Sequence, residues 1–412
     1  MTSNEPVIES VNATFSAQRT PCILAFGTYN VRKHPRVGIL VDGLRANGCH
    51  VEEINHPLTL STAQRVEILK KPWKLFGFAW NLLGLWRALR RDARAWMRVN
   101  GQPDAVLVGY MGHFDVLLAR RIFRHVPIAL DHLIFAGDTA KDRGARGLKV
   151  RLLNHLDRMA LNACDLAIMD TEEHRAMLPA GVTGMVIPVG APDEWYAAGK
   201  APKPNTPPAP APTVSTSPEP SDSTSAAPTV SREGIVFYGL YTPLQGAPVI
   251  AEALRELADR GITPPVTLIG SGQDFEQVRS IVGNLANVTL IPWMEPEQLP
   301  AEVAHHAISL GIFSTTSKGL HVVPNKVYQA MAAGCAVITS DTAPQRRMLG
   351  EGVIYVRPGD AHALADAIEQ LLTNSEALHR AQHNARVVAQ NFTASKIAEP
   401  LGAWVRQHVP TA

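Results

Sequence analysis

Cysteine is scarce in this chain. Its four copies, Cys22, Cys49, Cys164 and Cys335, are scattered without the close pairing that metal ligands need. Three of them, Cys22, Cys164 and Cys335, sit in apolar surroundings and read as small core residues, so neither a disulfide framework nor a zinc site is expected. No apolar run approaches the roughly 18 residues that a membrane-spanning helix requires. The opening "MTSNEPVIES" lacks the charged-then-apolar order of a secretion signal, which favours a cytoplasmic protein. Charge is nearly balanced, 39 Lys and Arg against 37 Asp and Glu, so the net +2 gives no ground for a nucleic-acid partner. No Asp-X-Asp triplet is present, and a required divalent metal is not expected; nor is any cofactor.

What is present is abundant apolar residue, 46% of 412 positions, distributed in alternating short runs and helical patterns. That length exceeds one core and predicts two domains. Residues 197–231 are nearly all Ala, Pro, Ser and Thr and read as a disordered linker, because such a segment cannot bury enough apolar surface to offset its ordering entropy. Before it, strands are expected at "CILAFG" (22–27), "HVEEINH", "AVLVGY" (105–110), "VPIALDH" (126–132), "DLAIMD" (165–170) and "GMVIPVG" (184–190), with helices between them. After it the alternation resumes with "GIVFYG", "PVTLIG", "NVTLIPW", "ISLGIF", "CAVITSD" and "VIYVRPG". Strands separated by helices predict parallel sheets covered on both faces. The domains are therefore drawn as 1–196, the linker 197–231, 232–390, and a terminal helix 391–412 that packs back on the first domain. Open sheets of this kind take ligands at the carboxyl ends of their strands, which places a cleft between the two domains.

Charge is unevenly placed. Residues 1–196 carry 24 Lys and Arg against 19 Asp and Glu, and the remainder carries 15 against 18. The segment 65–98, "RVEILKKPWKLFGFAWNLLGLWRALRRDARAWMR", holds nine of those cations and two acids, together with Phe76, Phe78, Trp80 and Trp86. Basic and aromatic at once, it suits a helix lying in a membrane interface; an ordinary core helix with a solvated basic end is the plainer reading.

One residue in "VVPNKVYQAMAAGCAVITSD" (322–341) resists a bland reading. Pro324 suits the first helical position, Val327, Tyr328, Met331 and Ala332 share one face, and Gly334 falls where a left-handed cap would close the helix. Lys326 then lies in the first turn, where the helix dipole disfavours a cation unless an anion is bound there.

This stretch resembles the donor-domain signature of the two-domain retaining glycosyltransferases of the GT-B fold, the group 1 or family 4-like set that includes sucrose synthase and bacterial mannosyltransferases. "IVFYGLYTPLQG", "LIGSGQDFEQV", "VTLIPWMEPEQLP" and "VIYVRPGD" match further motifs of that family, and "VIPVGAPDEWY" (186–196) resembles the close of its first domain. The resemblance implies an α/β protein with two facing doubly wound, Rossmann-like domains. It implies transfer of a hexose from a UDP- or GDP-linked donor to a lipid-linked or glycan acceptor, with retention, in cell-envelope or exopolysaccharide synthesis, and a peripheral position at the inner face of the plasma membrane.

On this reading Lys326 faces the donor diphosphate. Gly27 in the first domain, Gly239, Thr242, Gln245 and Gly246 in the first donor-domain turn, Gly272, Trp293, Lys318 and Gln329 complete the donor set. The family often places a polar residue, frequently His, at the end of the strand 126–132, so Asp131 and His132 are the catalytic candidates; Asp138, Asp142 and Arg143 follow on an expected loop. The chain also departs from the pattern. Two glutamates eight positions apart are replaced by His321 and Gln329, and an Arg and a Lys of the first donor-domain loop by Leu240 and Gln245. Lys318, Lys326, Arg346 or Arg347 are the residues able to supply the missing charge. Those departures support an alternative: an inactive glycosyltransferase-like partner of a glycan assembly complex. A nucleotide-sugar epimerase on the same fold is a third reading.

Overall fold

The computed structural model describes residues 19–32, 34–58, 74–142, 144–200 and 233–409. The first domain runs β1 (Cys22–Gly27), α1 (Arg36–Ala46), β2 (His50–Asn55), α2 (Lys74–Asn100), β3 (Ala105–Val108), α3 (Asp115–Ile122), β4 (Ile128–Asp131), α4 (Ala136–Asp142), α5 (Leu148–Leu161), β5 (Leu166–Met169), α6 (Glu172–Ala176), β6 (Gly184–Val186) and α7 (Asp193–Lys200). Its six strands are all parallel, in the order β2-β1-β3-β4-β5-β6. The second domain runs β7 (Ile235–Tyr238), α8 (Ala247–Asp259), β8 (Val266–Ile269), α9 (Phe275–Val282), β9 (Val288–Ile291), α10 (Leu299–Ala304), β10 (Ile308–Leu310), α11 (Ser317–Leu320), α12 (Asn325–Ala332), β11 (Ala336–Ser340), α13 (Ala343–Leu349), β12 (Ile354–Val356), α14 (Ala361–Thr373), α15 (Ser375–Ala389) and α16 (Ala394–His408). Its strands are again parallel, in the order β12-β11-β10-β7-β8-β9.

The near-continuous apolar runs read as strands because both sheet faces are covered: β3, β4, β5 and β7 are buried at every position. One core cluster joins the two domains. It includes Ile39 and Leu44 of α1, Trp195 and Tyr196 of α7, Tyr238 of β7, Tyr328 of α12 and Ile397 of α16. Trp195 stacks on Tyr238 with ring centroids 5.6 Å apart, so α7 fastens the end of the first domain to the second.

The C-terminal helix α16 lies on α1 of the first domain. Gly43 permits that approach: a Cβ there would stand 2.1 Å from the Ala394 carbonyl oxygen.

Several local expectations change. The linker drawn from residue 197 starts later, because 197–200 are the last turn of α7, held by Ala198 against the shared core and by Gly199 close to the Ala332 carbonyl. The rest of that segment lies outside the described residues, as do 65–73, Lys33 and Arg143 and the side chains of Phe76, Phe78 and Asp142. Asp138 is not on a loop but on α4, a short helix capped from another element: the Asp157 carboxylate on α5 accepts from the Ala136 and Gly137 N–H groups at 2.9 and 3.1 Å. Pro324 is the N-cap and not the first helical residue, with an extended ψ of 147°. Gly334 does adopt positive φ, 80°, after α12.

Candidate functional site

In each sheet the strand order reverses once beside a central strand: around β1 and β3 in the first, and between β10 and β7 in the second. The crevice outside the strand ends at such a point is where an open α/β sheet takes its ligand. In the second domain two loops meet there. The turn after β7 runs from Gly239 to Gly246, and the loop after β10 packs directly on it, since a Cβ at Gly246 would lie 2.6 Å from the Phe313 carbonyl carbon. Gly246 caps α8 in the left-handed conformation, φ 65°, which only glycine adopts freely. The turn after β8 supports the first: a Cβ at Gly270 would sit 1.9 Å from the Gly239 oxygen, and one at Gly272 would sit 2.5 Å from the Tyr241 oxygen. Gly272 therefore packs against the backbone of the first turn. A cavity of about 260 Å³ opens between the two loops, lined by Pro243, Gly246, Asp274, Phe313, Ser314 and Thr316.

Lys326 comes at this turn from behind. It is 4% exposed on α12, and its Nζ lies 3.8 Å from the centroid of the Phe237 ring. A Cβ at Gly239 would be 3.0 Å from that Nζ, so the missing side chain leaves the amine room against the back of the turn. Among the described residues the Nζ has no hydrogen-bond partner, and neither has the buried Oε1 of Gln245 in the same turn. Burial alone holds the amine well below the usual lysine range. The Tyr238 hydroxyl donates to the Lys326 carbonyl at 3.0 Å and lies 3.3 Å from Oε1 of Gln329, which fixes the first turn of α12 and brings Gln329 to the same place.

The other donor-side residues are spread out. Thr242 accepts the Gln245 N–H at 2.8 Å through its carbonyl and so shapes the turn. Leu240 is half-exposed at its outer edge. Trp293 is 68% exposed and donates from its indole to Glu295 at 3.3 Å, so it is a surface aromatic and not a core one. Lys318 reaches across to the first domain and donates to Thr139 Oγ1 on α4 at 2.8 Å. Of the other basic residues considered for the missing charge, Arg346 binds Asp341 at 2.5 Å and Arg347 binds Glu173 of the first domain at 3.0 Å. Both are turned to carboxylates, whereas Lys326 is turned to none.

On the facing domain, Gly27 ends β1 beside Asp115, whose Oδ2 accepts from the Thr28 N–H at 2.7 Å and the Thr28 hydroxyl at 2.8 Å. The Trp86 indole donates to the other oxygen at 3.1 Å. This pins the loop after β1; burial raises the Asp115 carboxyl.

Asp131 and His132 close β4. Arg36, the first residue of α1, donates to Asp131 Oδ1 at 2.7 Å and to the carbonyls of Ile187 and Pro188. Asp131 Oδ2 has no partner. Burial pushes the Asp131 carboxyl up, and the Arg36 guanidinium opposes it. His132 has a side chain only 1% exposed; among the described residues neither ring nitrogen has a hydrogen-bond partner, and Nε2 lies 3.9 Å from Asp157 Oδ1. Burial, then the neighbouring His113, pushes its imidazole down to about 3, so the ring is neutral.

Three residues around His132 were not legible as a set in the sequence. The His113 ring lies 4.8 Å from it, Phe135 lies 4.9 Å away, and Asp157 accepts from His113 Nε2 at 2.9 Å. The donor atoms of His113, His132 and Asp157 all lie within 4.8 Å of one another, which makes them, among the described residues, a group able to hold a metal ion. "GHFD" (112–115), in the turn from β3 into α3, was the available signal for His113; Asp157 is buried mid-helix, and only packing reveals it. Behind them His174 and Asp170 form a second buried pair, 2.5 Å apart.

The strand ends of the two domains thus face each other, joined by Arg32–Glu297 at 2.6 Å, Arg347–Glu173 at 3.0 Å, Lys318–Thr139 at 2.8 Å and the Thr171 hydroxyl to the His321 carbonyl at 2.9 Å.

Residues 232–374 match the family model "Glycosyl transferases group 1". Over 94% of its length the chain superposes on 99% of a sucrose-phosphate synthase from Thermosynechococcus elongatus, at TM-score 0.61 and 17% identity. The fold is GT-B. An Anabaena HepE structure in complex with UDP-glucose shares it at TM-score 0.59 and 13% identity, over 94% of this chain and 99% of that one. In sequence, a phosphatidyl-myo-inositol mannosyltransferase of Mycobacterium leprae is 30% identical over 144 residues, which are 34% of this chain and 37% of that protein. The GT-B chain therefore spans little more than a third of that curated relative in alignment.

Proposed function

We propose that this protein is a nucleotide-sugar-dependent hexosyltransferase, and the observation that carries the reading is Lys326. A fully buried amine with no partner, beside a glycine turn at a topological switch point, is costly unless an anion completes it. A sugar donor's diphosphate supplies that anion, held also at the N-terminus of α8. Gln329 offers amide hydrogen bonds to ribose hydroxyls, and Trp293 borders the base at the rim. The donor is UDP- or GDP-linked; the M. leprae and Anabaena relatives named above support a donor of this class and a lipid-linked or glycan acceptor.

In the proposed reaction the bond between the anomeric carbon and the phosphate oxygen breaks as the acceptor oxygen bonds to the same carbon on the same face. The acceptor's proton passes to the departing diphosphate, which gives retention without a protein nucleophile. Lys326 and the turn stabilise the growing phosphate charge. Neutral His132, beside Asp131 at the end of β4, is the residue we assign to orienting the transferred sugar. The charge is met by Lys326, so no divalent metal or other cofactor is needed on this route.

The setting we infer is polysaccharide assembly at the inner face of the plasma membrane, with peripheral contact through 65–98. The described part of that segment is amphipathic: Leu82 and Leu89 are buried while Trp80 is 74% exposed. No helix among the described residues is long and apolar enough to cross a membrane.

The test is calorimetric titration of UDP, GDP and their common sugars into the metal-free protein, followed by a search for acceptor-dependent release of the nucleoside diphosphate. Binding of one donor with turnover supports the transferase. Binding without turnover of any donor favours the inactive-partner reading that Leu240 and Gln245 motivate. Inverted donor configuration with no diphosphate released would point to an epimerase, and no binding at all would remove the donor site.

A further inference from the structure

The outer surface of the first domain carries a feature that the donor site leaves unused. Helices α2, α3 and α5 form one layer over a single face of the first sheet, sharing a core made of Leu89 and Ala93, Val116 and Ala119, and Ala160. On α2 the buried stripe is Leu82, Leu89 and Ala93, and Trp80, Arg87, Arg91, Arg94 and Arg98 recur on the opposite side at helical spacing. On α5 the buried side is Val150, Asp157 and Ala160. Opposite it stand Leu148, 81% exposed, Leu152, 66% exposed, and Met159, 42% exposed. Two large aliphatic side chains one turn apart and this exposed are uncommon on a monomer surface unless something covers them.

The charge around these residues has one sign. Residues 144–161 contain Arg146, Lys149, Arg151 and Arg158, and their single acid is the buried Asp157. Residues 74–100 contain one acid, Asp92, which is tied to Arg91 at 2.7 Å and His56 at 2.8 Å. Between the two helices α3 adds the exposed Arg121.

Direction matters too. In a parallel sheet the covering helices run back from the strand C-termini, so the first turns of α2 and α5 lie at the cleft end of the domain. Trp80, Leu83, Leu148 and Leu152 are all in those first halves, with most of the arginines of α2 and Arg158 of α5 further down. The surface is apolar near the cleft rim and basic behind it.

We infer that this three-helix layer is one docking face for an anionic bilayer, with Leu148 and Leu152 of α5 and, across α3, Trp80 and Leu83 of α2 inserting and the arginines meeting lipid phosphates. This deepens the peripheral placement proposed above, and it rests on that reading for the membrane setting. It assigns the contact to two helices where the sequence pointed to one segment. Charge complementarity selects an anionic surface, and the exposed leucines select a lipid over nucleic acid, whose backbone has no use for aliphatic anchors. Docked this way, the cleft rim meets the bilayer, where a lipid-linked acceptor would present its hydroxyl.

The experiment is co-sedimentation of the full chain with phosphatidylcholine vesicles containing or lacking phosphatidylglycerol, at low and high salt. Wild type is expected to partition onto the anionic vesicles and to be released by salt in part only. The double variant Leu148→Ser/Leu152→Ser should lose about tenfold or more of that partitioning, from the apolar area no longer inserted. Arg151→Glu/Arg158→Glu should lose the anionic preference. Nucleotide-sugar binding by each variant, measured in solution, shows that it is folded and is expected to be unchanged. Partitioning that is insensitive to the α5 variants overturns the inference. So does a shift to dimer in light scattering that the leucine variant abolishes while wild type ignores vesicles. Donor binding that persists in either case leaves the transferase reading standing; its loss in wild type would instead remove that reading.

Discussion

Replacing Lys326 with methionine separates folding from binding at one atom. Methionine keeps the length of the stem over the Phe237 ring and removes the amine that has no partner. In the unliganded protein an unsatisfied buried donor costs about 1–3 kcal/mol, so the variant should be more stable by roughly that amount. For a domain of this size each kcal/mol moves the midpoint of thermal unfolding by about 2–4 °C. Donor binding should move the other way. A charged hydrogen bond to phosphate contributes about 1.5–3 kcal/mol, so Lys326→Met should weaken nucleotide-sugar binding at least about tenfold.

The pH dependence has a definite sign. Burial depresses the folded-state lysine below its unfolded value, so between those two values the unfolded chain binds more protons. Wild-type stability should therefore rise with pH across that window, by up to about 1.4 kcal/mol per unit, and the methionine variant should lack this slope. The donor favours the charged amine, so binding should take up a proton and weaken as pH rises through the same window. Calorimetry of a nucleotide-sugar in two buffers of different ionisation enthalpy reads the proton directly, because such a donor has no phosphate proton titrating near neutrality. An unchanged Kd in Lys326→Met, or a destabilised variant, would refute the assigned role.

Removing the guanidinium in Arg36→Met strands the fully buried Asp131 carboxylate and should cost about 3–5 kcal/mol in denaturant unfolding; a cost under about 1 kcal/mol would mean Asp131 is protonated in the native protein. If His132 orients the transferred sugar as proposed, His132→Ala should lower kcat by one or two orders of magnitude with little change in donor Kd; equal losses in both would assign it to donor binding. Gly43→Val places a side chain against the Ala394 carbonyl and should release α16 from α1, exposing the C-terminal helix to limited proteolysis. Glu173→Gln breaks an interdomain pair whose Arg347 side chain is 48% exposed, and should change stability by less than about 1 kcal/mol; a larger loss would show that the domains depend on it.

Much of the fold was legible because period and composition are local properties. The alternation of apolar runs with helical patterns gave parallel sheets, and the strand ends fall within a few residues of "CILAFG", "VPIALDH" and "DLAIMD". The helix α4 was missed because its cap is Asp157, whose carboxylate arrives from another helix. The sequence offered Lys318, Arg346 and Arg347 on equal terms with Lys326 as cations for a phosphate. Only packing distinguishes them, by giving Arg346 and Arg347 carboxylate partners and Lys318 a hydroxyl of the facing domain.

By itself the order of residues determined two α/β units, the glycine turns at strand ends and a lysine in the first turn of a helix. These follow from backbone conformation and hydrophobic period, which neighbours along the chain set. Tertiary structure decided that Lys326 is sealed without a partner, that His132 lies between His113 and Phe135, and that the apolar side of α5 is turned outward in the same layer as α2. Burial and partnership depend on which distant elements a side chain meets, and no local pattern encodes that.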